Sequence, residues 1–295
     1  MRSRHHASFR HQLNTLRRHF LQDGDLPFTD VLTEEVIAQA LTAVTGWLDR
    51  IFSPLVTLWV FLGQVLGADH SCRAAVARLI AHRLARGQSP CSAETGAYCQ
   101  ARRRLPESFF ADVARSVGRR LDDRADRRWL WKGRRVYLFD GTTVTMPDTR
   151  ENQAAYPQVY NQKPGLGFPI ARIGALISLS IGAVVNLGFC RYAGKGQGEV
   201  SLLRRLWDVL RPGDVVLADR LTANWATILM LQQRGVELVS RLNKAHRKAD
   251  FRRGRRLGAL DHVVRWAKPT SIRSLDREAY RALPEFITVR ETRIR

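Results

Sequence analysis

Cysteine, lysine and long apolar runs are scarce in this chain, and each scarcity excludes something. The four cysteines, Cys72, Cys91, Cys99 and Cys190, lack the paired short spacing of a zinc site and are too few to staple 295 residues, which excludes zinc-finger and disulfide-framework architectures. They read as reduced core thiols. The longest greasy stretch, Leu55 to Leu62, is broken by Gly63-Gln64 and falls short of the ~20 residues a membrane span needs. No apolar h-region follows the basic start Met1-Arg2-Ser3-Arg4-His5-His6, so no signal peptide is legible and a cytoplasmic location is expected.

Acidic residues are also outnumbered, 27 against 48 Lys and Arg, for a net charge of +21 and a pI near 11.1. Such a surface condenses onto phosphates and releases counterions, so a polyanionic partner is implied, with nucleic acid foremost. Only six of the basic residues are lysine (Lys132, Lys163, Lys195, Lys244, Lys248 and Lys268). The arginine excess suits bidentate phosphate contacts; a GC-rich genome, which enriches arginine codons, produces the same bias. A 45% hydrophobic content is enough for a large core in two domains, or in one with an insertion.

From Thr33 to about Asp123 the apolar residues recur at helical spacing, which predicts an all-α amino-terminal domain. Ser71 precedes a helix over Cys72 to Arg86, and Gly87 sits where a left-handed cap belongs. Ser89-Pro90 is read as the start of a second helix to about Arg103, and Pro106 as the opening of a third. Short helices separated by tight turns suit a helix-turn-helix or any small helical bundle. The charged stretch from Asp122 to Arg135 marks a domain boundary, and Trp129 and Trp131 within it are expected to pin the linker down. Beyond it the pattern becomes strand, long loop, hairpin, helix, strand, helix, strand, an α/β order. Gly182 allows the hairpin between Ile170–Ile181 and Ala183–Tyr192. Past Asn243 a basic run follows, Lys244, Arg247, Lys248, Arg252, Arg253, Arg255 and Arg256, which is a DNA-facing patch or a solvated loop.

Two aspartates carry the chemistry. Val136-Tyr137-Leu138-Phe139-Asp140 and Val215-Val216-Leu217-Ala218-Asp219 each end an apolar, strand-like run in a carboxylate, which predicts an acid at each of two strand tips. One such residue is most often a turn former or helix cap, and the chain has other aspartates at routine positions: Asp148 after Met146-Pro147, Asp208 on a helix and Asp214 opening a strand. Two that converge need a positive partner, and a divalent cation supplies it. If the two strands pair in parallel, both acids emerge at one sheet edge about 4.8 Å apart. That geometry suits Mg²⁺, with Mn²⁺ as a substitute, in phosphodiester chemistry. Gly141 leaves room for a close approach, and Thr142 and Thr143 offer hydroxyls.

The stretch Phe139-Asp140-Gly141-Thr142-Thr143-Val144-Thr145-Met146-Pro147-Asp148, with Gln158, Gly165 to Gly174 and Val215 to Arg220, resembles the IS4 family of bacterial DDE transposases. Ser71-Cys72-Arg73, Thr95 to Arg102, Arg104-Leu105-Pro106, Tyr280, Leu283-Pro284 and Val289-Arg290-Glu291 are similar to the same family. The resemblance implies an RNase H-like core, a mixed sheet flanked by helices, that cuts and joins transposon ends in double-stranded DNA with Mg²⁺. It implies a nucleoid-associated bacterial protein that pairs two ends as a homodimer. Asp140 and Asp219 map onto the first two acids of the family triad. The third, a glutamate in a Tyr-x2-Arg-x3-Glu-x6-Lys signature, has no counterpart: Glu237, Glu285 and Glu291 are poorly placed. On this reading residues 1–130 are the DNA-binding helical domain, 131–243 the catalytic core and 244–295 the start of a β-rich insertion, with the glutamate-bearing helix missing. A transposase fragment inactive by itself is expected, with a non-catalytic DNA-binding inhibitor and a structure-selective nuclease as the competing readings.

Overall fold

The computed structural model describes residues 31–44, 46–47, 50–163, 165–243, 247–272 and 277–294. The chain divides into two units at Leu121/Asp122.

The described elements of the first unit are helices: α1 (Glu34–Leu41), α2 (Pro54–Leu66), α3 (Cys72–Ala85), α4 (Gly96–Arg104) and α5 (Glu107–Asp123), the last running two residues into the second unit. Ser53 and Ser71 cap α2 and α3 by accepting from Val56 N and Ala74 N, and Pro54 fills the first turn, where no amide hydrogen is needed. Gly87 takes a positive φ of 66° behind α3, as expected of a glycine after a helix end. The helix expected from Ser89-Pro90 begins only at Gly96. Proline holds the residue before it in extended backbone, and the Ser89 carbonyl is taken by Arg83 Nε at 2.8 Å. The cysteines are all free thiols, yet only Cys190 is buried; Cys72, Cys91 and Cys99 are partly exposed, which corrects their reading as core thiols.

The expected linker tryptophans are also corrected. Trp129 and Trp131 are 61% and 53% exposed, so neither is buried in a core. Trp131 and Arg134 instead close a tight turn with two backbone hydrogen bonds, and Lys132 and Gly133 supply its two positive φ values.

The second unit is mixed α/β. Its larger sheet has the order β3-β2-β1-β4-β5, with β1 (Val136–Thr145), β2 (Ile170–Ser178), β3 (Val184–Arg191), β4 (Val215–Ala218) and β5 (Glu237–Ser240). β1, β2 and β3 are antiparallel neighbours, whereas β4 lies parallel to both β1 and β5. A short helix, α6 (Arg150–Ala155), interrupts the β1–β2 connection, and α7 (Glu199–Leu206) and α8 (Trp225–Gln233) flank β4 in sequence. Gly182, at φ 67°, turns the β2–β3 hairpin.

One sheet face is closed by helices. Tyr137, Phe139, Leu176, Val185 and Val216 pack with Leu202, Leu203 and Leu206 of α7 and Leu231 of α8. Close approach of α7 depends on a row of glycines in register across three strands, Gly141, Gly174 and Gly188. A Cβ at Gly174 would lie 2.6 Å from Leu202 Cδ2, and one at Gly188 3.1 Å from Leu206 Cδ2, so the row forms the groove that receives the leucines.

A second sheet, β6 (Arg255–Gly258), β7 (Asp261–Ala267) and β8 (Phe286–Thr292), has the order β6-β7-β8, and a short helix, α9 (Arg277–Arg281), precedes β8. Trp266 and Ile287 of this sheet pack against Trp225 and Leu229 of α8. Within the sheet, buried His262 places Nε2 2.8 Å from Glu291 Oε2 and Nδ1 2.6 Å from the Arg253 carbonyl. The other Glu291 oxygen accepts from Trp266 Nε1 at 2.7 Å.

Because both ring nitrogens face acceptors, the doubly protonated imidazolium fits this site. The hydrogen bond to Glu291 raises the His262 pKa against the opposing effect of burial. A raised folded pKa contributes stability that is complete below the ordinary value of about 6.5 and is lost as pH climbs through the folded value. Thermal melting between pH 5.5 and 8.5 should therefore show a downward slope above about pH 6.5 that His262→Gln removes. Identical slopes in the two proteins would show that His262 titrates as it does in the unfolded chain.

Candidate functional site

The strand expected to stop at Asp140 continues through it to Thr145, so Asp140 lies mid-strand, opposite Ala175 of β2. The strand-tip placement is therefore corrected for Asp140. The reason is pairing: β2 is long enough to match β1 over Tyr137–Thr145, and its ladder keeps β1 extended after the apolar run has ended. Asp219 does follow its strand directly, since β4 ends at Ala218.

The parallel pairing is what brings the acids together. The last residues paired between β1 and β4 are Phe139 and Ala218, so Asp140 and Asp219 occupy the next position on two neighbouring strands, about 4.8 Å apart. Ala218 pairs in turn with Ser240 of β5, and the next residue there is Arg241. The row at this sheet edge therefore reads Asp140, Asp219, Arg241. Arg241 Nη2 lies 4.0 Å from Asp219 Oδ1, and both side chains are open to solvent.

Local hydrogen bonds set each carboxylate. Asp140 Oδ1 accepts from Gly141 N at 2.8 Å, and Asp219 Oδ1 accepts from Arg220 N at 2.5 Å. The Asp219 carbonyl accepts from Ser240 Oγ and Thr222 Oγ1, which ties the turn after β4 to β5. Each acid keeps its second oxygen without a hydrogen bond among the described residues. Two exposed carboxylates with free oxygens form a hard-oxygen donor set of the kind Mg²⁺ takes, the remaining positions falling to water or substrate. Among the described residues no group of three His, Cys, Asp or Glu side chains is arranged to hold a metal.

Strand alternation puts Asp140 on the face opposite Phe139 and Gly141. That face carries Leu138, Ile173, Ala175, Leu187 and Leu217, which are only partly buried. Glu199, at the start of α7, comes near the same strand but from the other side: a Cβ at Gly141 would lie 3.0 Å from Glu199 Cγ. Its carboxylate is paired with Arg172 at 2.8 Å. The three glutamates weighed from the sequence are engaged elsewhere. Glu237 pairs with Arg134 at 2.9 Å, Glu285 with Lys268 at 2.7 Å, and Glu291 holds His262 and Trp266.

Gln158 has a structural task. Its Oε1 accepts from Gly165 N and Gly167 N, and its Nε2 donates to the carbonyls of Gln162 and Lys163, so one side chain organises the loop ahead of β2. Of the basic run, Lys244 lies outside the described residues, while Arg247, Lys248, Arg252, Arg253, Arg255 and Arg256 are exposed. Arg252 and Arg253 are ion-paired with Asp250. Arg247 stacks on the Trp266 ring, 4.4 Å from its centroid, and with Arg220, Asn224, Trp225 and Asn243 lines a cavity of about 450 Å³.

Sequence reasoning missed Arg241 as part of the row. The one signal available was that Arg241 ends a strand-like segment, as Asp140 and Asp219 were read to do. No helix among the described residues is long and apolar enough to cross a membrane. No family model matches the chain, and no curated protein matches it.

Proposed function

We propose that this chain supplies the first two acids and the DNA-binding surface of a cut-and-paste DDE transposase of the IS4 type, acting on the phosphodiesters of insertion-sequence ends in double-stranded DNA. The observation that carries the reading is the parallel β1–β4 register, which sets Asp140 beside Asp219 at one sheet edge. The sheet order β3-β2-β1-β4-β5 with flanking helices is compatible with an RNase H-like core, and the net charge of +21 suits a polyanionic substrate.

Asp140 and Asp219 would hold Mg²⁺ or Mn²⁺. When bound, such an ion supplies charge stabilisation for the attacking and leaving oxygens of a phosphodiester. The chain's own contribution is positional. The Gly141 and Arg220 amides orient the two carboxylates, and exposed Arg241 offers a guanidinium to the adjoining phosphate.

A second reading, a non-catalytic DNA-binding protein that competes with an intact transposase, draws on a specific observation. Glu199, Glu237, Glu285 and Glu291 all have partners away from the Asp140–Asp219 row. With two acids and no third beside them among the described residues, a pair of metals is poorly positioned, so slow nicking without strand transfer is expected. Supercoiled plasmid and labelled end DNA incubated with Mg²⁺ or Mn²⁺ separate the readings. Nicking that chelation abolishes supports the transposase core, and DNA retention with no nicking in either metal supports the inhibitor. Efficient cutting and joining would mean that a third acid is present after all.

A further inference from the structure

We infer that the outer face of the β6–β7–β8 sheet is a platform for a single nucleic-acid strand, with Phe286 and Arg265 taking an unstacked base and Arg255 and Arg290 its phosphates. This rests on the nucleic-acid reading above and names a separate surface for it. Alternation sorts the side chains of the sheet cleanly. His262, Trp266, Ile287 and Glu291 are buried or nearly so, whereas Arg255, Arg265, Phe286, Thr288 and Arg290 are exposed.

The register places these exposed residues on one surface. Arg255 and Arg290 each lie opposite Val263 from its two sides, Arg265 lies opposite Thr288, and Phe286 opposite Ala267. Neighbouring strands are about 4.8 Å apart and alternate residues along a strand about 7 Å apart, so Arg255, Arg265 and Arg290 are close neighbours on this surface, with the Asp261 carboxylate among them. Arg265 sits over the Phe286 ring, 4.2 Å from its centroid, so the guanidinium and the ring form one exposed stack on this surface. Arg290 is held by Asp261 through both Nε and Nη2, which fixes its direction. Gln232 of α8 donates to the Thr288 carbonyl at 2.9 Å and anchors the sheet from behind.

The favoured occupant is a single strand because of the exposed aromatic. Phe286 is 43% exposed, and an aromatic ring or guanidinium plane can be used only by a base that is out of its own stack. Arginines beside it supply the salt-dependent phosphate term. The combination of stacking group and cationic surrounds is that of sequence-tolerant single-strand binding.

Fluorescence anisotropy of the whole chain with labelled dT20, and with a duplex of equal length, tests this. Phe286→Ala should weaken dT20 binding about 5- to 100-fold with duplex affinity nearly unchanged; Arg265→Ala should also weaken it, and Phe286→Trp should retain it. Circular dichroism melts of the variants establish that the sheet is intact, as expected for an exposed side chain. Equal dT20 affinity in wild type and Phe286→Ala, or an equal loss on duplex and single strand, overturns the platform and leaves the transposase reading standing. Absence of binding to either DNA overturns both. Asp140→Asn should leave the dT20 affinity in place, so loss of nicking there and loss of strand binding at Phe286 report on the two claims separately.

Discussion

Asp140→Ala and Asp219→Ala are each expected to abolish metal-dependent nicking and to weaken Mn²⁺ binding by at least about tenfold, since loss even of an outer partner of a metal ligand costs 10- to 100-fold. Each acid occupies the position just past the last β1–β4 pair, so neither can be replaced by a neighbour without moving a strand. Duplex retention should hold within about twofold in both variants, because affinity for the phosphate backbone comes from arginines and the substitutions remove negative charge. Mn²⁺ titration followed by electron paramagnetic resonance, run beside plasmid nicking and filter retention, gives the three readouts. If either variant nicks like the wild type, the row is not the reactive centre. If DNA retention collapses together with nicking, the aspartates matter to folding and not to a metal.

The largest expected effect on stability lies at Asp122. Its carboxylate is 5% exposed and accepts from Tyr137 Oη at 2.7 Å and Ser178 Oγ at 2.5 Å, with Arg135 Nε ion-paired at 3.1 Å. Burial and this carboxylate together push the Tyr137 hydroxyl far above its ordinary pKa, so it stays a donor at any physiological pH. Asp122→Ala strands two buried hydroxyls and leaves the Arg135 guanidinium only its longer pair with Asp123 at 3.5 Å, and breaking such a network by removing one partner costs about 3–5 kcal/mol. Urea unfolding of the variant should show that loss. Adding Tyr137→Phe to Asp122→Ala should cost less than the sum of the two single substitutions, because the hydroxyl it removes is already unpaired. Strict additivity would mean that the two side chains contribute independently.

How much of the site was legible depended on whether its determinants are local. The apolar run that ends at Asp219 marks β4 because a buried strand needs several consecutive apolar residues and the turn after it does not. Gly182 was readable as a hairpin reversal for a similar reason, since a positive φ favours glycine. The same reasoning failed for Asp140. Polar Thr142, Thr143 and Thr145 signal an ending, yet β2 pairs with them, and no local pattern near Asp140 announces a partner some thirty residues on. Pro90 misled for the opposite reason: it can open a helix, but here it follows a serine whose carbonyl is claimed by Arg83.

By itself the sequence determined the chemistry available: two carboxylates after apolar runs, a strongly cationic surface, and a glycine at the hairpin reversal. Residue type and spacing along the chain are enough for that, since desolvation cost and backbone freedom belong to individual residues. Tertiary structure alone decided which groups meet. Strand pairing brought Asp140 beside Asp219 across 79 positions and added Arg241 to their row, while the packing of α7 set Glu199 on the other face and the β7–β8 register gave Glu291 to His262. Register is a long-range property, and a shift of one residue would have turned each of the strand residues among these to the opposite side of its sheet.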